Sequence, residues 1–154
     1  MEVVLATEFH VPEIVEVWKE FTDFLQDIHP FFIRSEDGHS KFGEQLKEWL
    51  KSDDYQVLVA LVGGKVVAYS IAKICKLPPM FEHVTYGFIA DLAVKSEYRR
   101  KGMGEQILEK ILEWFKHHQI DRIELMVLAK NEVGLSFWKK HGFEVFAHRM
   151  FLVK

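Results

Sequence analysis

Tyr98-Arg99-Arg100-Lys101-Gly102-Met103-Gly104-Glu105 is the stretch around which the rest of the chain can be read. A strand-like run, Phe88-Ile89-Ala90-Asp91-Leu92-Ala93-Val94, leads into it. Ile107, Leu108, Ile111, Leu112 and Phe115 follow at helical spacing. A helix start leaves its first N–H groups without partners and carries a partial positive charge. Glycines at 102 and 104 would let a phosphate approach those groups, and Arg99, Arg100 and Lys101 add charge. On the glycines alone, an ordinary strand-to-helix turn with solvated cations explains the stretch equally well. The Walker pattern Gly-x-x-x-x-Gly-Lys-Ser/Thr is absent, as is the three-glycine dinucleotide fingerprint.

Upstream, Val3-Val4-Leu5-Ala6 reads as a short strand. Ile14, Trp18, Phe21, Leu25 and Ile28 form one helix face, with Pro12 in the first turn and His29-Pro30 ending the helix. Phe42, Leu46, Trp49 and Leu50 mark a second helix that stops near Ser52-Asp53-Asp54. Tyr55–Val62 and Lys65–Ile74 are strands joined by Gly63-Gly64, a pair suited to a turn needing positive φ twice. His83 to Val94 is a third long strand, after a Leu77-Pro78-Pro79-Met80 loop. Downstream, Arg122–Leu128 is a strand and Asn131 opens a short helix that stops at Gly142. Phe143 to Val153 is expected to close the sheet as a further strand. This order predicts a single α/β domain over residues 1–154, a mixed sheet with helices packed on it.

Composition narrows the function. Hydrophobic residues make up 49% and charged residues 28% of the chain, which fits a folded domain. A net charge of −3 argues against nucleic-acid binding through a broad basic surface. The lone cysteine, Cys75, excludes an internal disulfide. No secretory leader or apolar run of membrane-spanning length is visible, so no membrane association and a cytoplasmic location are expected. The eight histidines show no metal-ligand spacing, and no metal is expected.

With Asp91-Leu92-Ala93-Val94 before it, Arg99-x-x-Gly102-x-Gly104 resembles motif A of the GCN5-related N-acetyltransferases (GNAT). Asn131 through Phe143 resembles their motif B, usually Asn…Phe-Tyr…Gly-Phe. The resemblance is sharp from about Tyr86 to Phe146 and architectural before that. It implies a GNAT-like sheet of six to seven strands flanked by about four helices. It implies acetyl-CoA as co-substrate and an amine as acceptor, with a homodimer allowed. The main chain at Leu92, Ala93 and Val94 would pair with the pantetheine arm. The turn Arg99, Arg100, Lys101, Gly102, Met103 and Gly104 would hold the pyrophosphate. Asn131 would contact the CoA arm and Lys139 would approach the adenosine end.

Two positions depart from the family pattern. Many relatives carry a glutamate base where this chain has Ala90, and a tyrosine acid where it has Trp138. Indole N–H donates a hydrogen bond but is no practical proton donor. By strand alternation Tyr86 shares Ala90's face, and some relatives place a glutamate at the Met126 position, whose face Glu124 shares. Tyr86 and Glu124 are therefore the candidates for proton handling. An equally good reading has Glu124 paired with a cation and Tyr86 merely packed. Alternation turns Asp91 the other way, as a structural residue, unless a bulge intervenes. For the acceptor, Phe31, Phe32 and Asp27 are candidates, because aromatics with carboxylates suit a cationic amine. The simpler expectation is that Phe31 and Phe32 close the core. An acyl-CoA-binding module with little turnover stands as the alternative function.

Overall fold

Two helices precede the long strands, as the apolar spacing predicts. The computed structural model describes residues 1–154, and in it α1 spans Val11–Ile28 and α2 spans Gly38–Leu50. His29, held extended ahead of Pro30, ends α1. Trp18 stacks on Phe42 with ring centroids 4.5 Å apart, fastening α1 to α2.

The sheet has five strands: β1 (Glu2–Leu5), β2 (Tyr55–Val62), β3 (Lys65–Lys76), β4 (Thr85–Val94) and β5 (Ile123–Leu125). They lie in sequence order, antiparallel from β1 to β4, with β5 parallel to β4. Gly63 and Gly64, at φ 59° and 78°, make the tight β2–β3 turn. The helices α3 (Met103–His117) and α4 (Glu132–Lys140) complete the chain.

Each sheet face has its own core. On one, Ile14, Val17 and Leu46 of α1 and α2 meet Val57, Val59, Tyr69, Ile71 and Ala93. On the other, Ile107, Leu108, Ile111 and Phe115 of α3 meet Leu58, Ala68, Ala72 and Ile89, with Phe137 and Trp138 of α4 at the margin. Gly87 lets α3 lie close on β4, since a Cβ there would sit 2.5 Å from the Phe115 ring.

The α/β class and four helices are as expected, but the sheet has five strands rather than six or seven. The fifth strand is only Ile123–Leu125, because the chain leaves β4 at Met126. Phe143 to Val153 forms no strand. No backbone group of residues 144–154 pairs with another backbone group. This arm touches the body through rings, Phe146 beneath Arg122 at 4.8 Å and Phe151 beside His29 at 5.1 Å. Apolar content alone does not make a strand; a paired neighbouring edge does. Phe31 and Phe32 do not close the core either, and Phe31 is 80% exposed. No helix is long and apolar enough to cross a membrane.

Candidate functional site

β4 and β5 run together only from Gly87–Ile123 to Ile89–Leu125. Beyond Ile89 the edge of β4 facing β5 is free, while its other edge stays paired to β3 through Val94. No strand covers that edge from Leu92 to Val94, which suits an extended ligand, although Arg99 takes the Val94 carbonyl. A bulge sits where the strands part. Ala72 pairs with Ile89 and Ile71 with Asp91, so Ala90 is left over.

That extra residue changes which way β4's side chains point. Gly87 and Ile89 face α3, but Asp91 and Ala93 face α1 and α2. Asp91 thus lies on the face of Tyr86 and Phe88, correcting the placement that unbroken alternation predicts. Glu124, between two residues packed toward α3, is on that face too. The face reads upward in register: Cys75 beside Tyr86, then Lys73 beside Phe88 and Glu124, then Ile71 beside Asp91.

The buried Tyr69 hydroxyl donates to Asp91 Oδ2 at 2.8 Å. Burial pushes the Asp91 carboxyl up to about 6, against the Tyr69 hydrogen bond, which lowers it. Burial, and then the Asp91 charge, hold the Tyr69 hydroxyl well above its ordinary value. Tyr86 is raised as well, by desolvation first, then by Cys75 and Glu124, so it stays protonated at neutral pH. Glu124 accepts from Arg122 Nε at 3.0 Å, the cation pairing that the sequence left open.

Above the bulge, β4 runs through a 3₁₀ turn at Ser96–Tyr98 into α3. Arg100 and Gly102 both adopt positive φ, 61° and 80°. No acceptor of the chain takes the amides of residues 100–105. Six successive N–H groups at a helix start are thus free, an arrangement that suits an anion. Space above Gly102 is open. The role of Gly104 differs from the sequence reading: a Cβ there would meet the Phe137 ring at 3.2 Å, so it admits α4 as well as any ligand. Arg99 donates from Nε to the Val94 carbonyl and lies 5.6 Å over the Phe24 ring.

Asn131 caps α4, its Oδ1 accepting from the Gly134 amide at 2.9 Å, which leaves its Nδ2 to donate elsewhere. Lys139 is exposed on α4; its neighbour Lys140 is the one that reaches Glu105 of α3, at 3.8 Å. Trp138 packs against Phe137 and Phe143 as a half-buried core residue. Around the α1–α2 loop, Phe31, Phe32 and Phe151 cluster about His29, with Asp27 exposed nearby in sequence. No group of acidic, histidine or cysteine side chains is arranged to hold a metal ion.

A profile of the acetyltransferase (GNAT) family matches residues 18–143, and the chain belongs to that family. It is 26% identical over 130 residues to the uncharacterized N-acetyltransferase MJ1207 of Methanocaldococcus jannaschii, spanning 79% of this chain and 57% of that one. It is 30% identical over 108 residues to an N-alpha-acetyltransferase of Sulfurisphaera tokodaii, spanning 67% of this chain and 62% of that one. The chain thus spans less than two thirds of these relatives. The tetramutant BH1408 protein of Bacillus halodurans superposes with a TM-score of 0.90 at 25% identity over the whole of both chains. A Clostridium acetobutylicum protein crystallised with acetyl-CoA superposes at 0.79 with 17% identity, over 99% of this chain and 95% of that one, and shares the fold.

Proposed function

We propose that the chain is an N-acetyltransferase that moves an acetyl group from acetyl-CoA directly to a primary amine. One observation carries the reading: a strand edge at Leu92–Val94 that no other strand covers leads straight to the unpartnered amides of residues 100–105. An extended amide-bearing arm with a diphosphate at its far end fits that sequence of donors. Arg99, Arg100 and Lys101 supply charge at the diphosphate, Met103 lies buried at the start of α3, and Gly102 and Gly104 keep the turn narrow. Asn131 Nδ2 is free to reach the arm, and Lys139 is exposed to meet a phosphate near the adenosine. Backbone donors at the bulge polarise the thioester carbonyl.

The acceptor enters from the α1–α2 face. Phe31, Phe32 and Asp27 are assigned to its binding, since exposed aromatics and an unpaired acid recognise a cation. Tyr86 and Glu124 are assigned to proton handling and charge balance on that face.

Measuring thiol release from acetyl-CoA tests the reading, using spermidine, kanamycin, tyramine and a peptide with a free N-terminus. Release stimulated by at least one amine, with the acetylated amine seen by mass spectrometry, is expected. Binding of acetyl-CoA with no stimulated release by any amine would support a binding module instead.

Two copies of the chain are proposed to associate through the arm of residues 144–154, whose unpaired backbone and exposed Met150, Phe151 and Leu152 need cover. Sedimentation equilibrium at micromolar concentration is expected to give twice the chain mass of 18.1 kDa.

A further inference from the structure

The geometry points to Asp91 as the group that takes the proton from the acceptor amine, with Tyr69 as its positioning residue. This rests on the acetyl-transfer reading above. It goes beyond the candidates Tyr86 and Glu124, and it supplies the base whose usual position holds Ala90.

Four observations converge on Asp91. It stands one residue past the bulge, at the apex where β4 and β5 part. It faces α1 and α2, the side from which the acceptor comes, and not α3. Its Oδ2 is fixed by a hydroxyl from inside the core, since Tyr69 is wholly buried. The second oxygen takes no hydrogen bond from the chain and is not among its fully buried unpartnered side-chain atoms. A carboxylate held at one oxygen and presented at the other is the arrangement a base needs.

The surroundings suit the role. Glu124 is engaged by Arg122, and Glu20 of α1 is engaged by the Ser96 amide at 2.6 Å. Lys73 of β3 lies over the Phe88 ring, 5.6 Å from its centroid. Arg99 is turned to the Val94 carbonyl, and α1 and α2 add Val17, Phe21 and Phe42 to the layer that holds Tyr69. Asp91 pairs with no cation of the chain, which leaves it to an incoming ammonium. Burial raises its pKa to about 6, which makes it a stronger base than a surface aspartate while still leaving it ionised at neutral pH.

The step balances as follows. The ammonium R–NH3+ gives one proton to the Asp91 carboxylate, leaving R–NH2. Its nitrogen pair forms the C–N bond to the thioester carbon, and the C–S bond breaks with its pair on sulfur. The surplus N–H proton goes to that thiolate. Asp91 then returns its proton to solvent, so one amide, one thiol and one free proton leave.

The test compares the wild type with Asp91→Asn and Tyr69→Phe, with acetyl-CoA affinity measured by calorimetry. Asp91→Asn keeps an acceptor for Tyr69, so it should fold and bind acetyl-CoA as the wild type does. Its kcat/KM for the best amine of the panel is expected to fall about 100-fold or more, the usual range for a lost base. The acid limb near pH 6 should vanish from the profile. Tyr69→Phe removes the hydrogen bond that lowers the carboxyl, so its acid limb should move up while acetyl-CoA binding stays unchanged. Wild-type turnover and an unchanged limb in a folded Asp91→Asn would overturn the proposal.

If no amine is acetylated by the wild type, the acetyl-transfer reading fails, and Asp91 is read separately by carbon-13 titration of its carboxyl with CoA bound. Saturating spermidine is expected to lower the Asp91 midpoint. A midpoint unmoved by spermidine and by every other amine of the panel overturns the assignment.

Discussion

Replacing Gly102 with Asp is expected to abolish measurable acetyl-CoA binding at micromolar concentration while leaving the fold intact. Gly102 sits at the centre of the six free amides, at φ 80°, and a Cβ on it would have no neighbour within 4 Å. Its Cβ would meet no protein atom, so the backbone cost is the strain of positive φ, roughly 1–2 kcal/mol. Aspartate is among the residues that tolerate this region. Its carboxylate, however, would take the same amides and set a negative charge where the diphosphate should lie. Each lost charge-assisted hydrogen bond costs roughly 1.5–3 kcal/mol, so two are enough for about a 100-fold loss. Gly102→Ala separates strain from charge. It carries the same backbone strain without the anion and is expected to bind well above Gly102→Asp. Calorimetry with acetyl-CoA and a thermal melt of each variant check both halves. Near-normal binding by Gly102→Asp would remove the pyrophosphate assignment.

What could be read in the sequence was what local chemistry decides. Gly63-Gly64, His29-Pro30, Asn131 and Gly142 mark a turn, a stop, a cap and a helix end through their own backbone preferences, and each appears where expected. The Arg99–Gly104 turn was legible for the same reason. The bulge at Ala90 was not, because Phe88-Ile89-Ala90-Asp91-Leu92 reads as one unbroken strand. One leftover residue reversed the face of Asp91 and with it the choice of candidate base. Its partner Tyr69 lies 22 residues earlier, and a buried hydrogen bond at that separation leaves no local signal. Residues 143–153 failed in the opposite sense. Their apolar pattern is strand-like, but pairing depends on an edge elsewhere, and β5 is only three residues long.

Above pH 6, the Asp91→Asn variant is expected to be more stable than the wild type, although it is the less active of the two. Burial raises the folded-state carboxyl to about 6 from an ordinary 3.8. Between those values the folded protein keeps a proton that the unfolded chain has released. The stability this contributes is fully present below about pH 4 and is lost as pH rises through 6. At pH 8 the ionised carboxylate therefore opposes folding, by about two pH units at ~1.36 kcal/mol each, or about 3 kcal/mol. Asparagine carries no charge to desolvate and still accepts from the Tyr69 hydroxyl, so its advantage should approach that figure at pH 8 and disappear near pH 4. Urea unfolding of both proteins at pH 4, 6 and 8 measures the difference directly. A constant difference across the three pH values would mean that the charge of Asp91 is not what destabilises the fold. A growing one would show a carboxylate retained at a cost to stability, which is what a functional group in a partly buried site looks like.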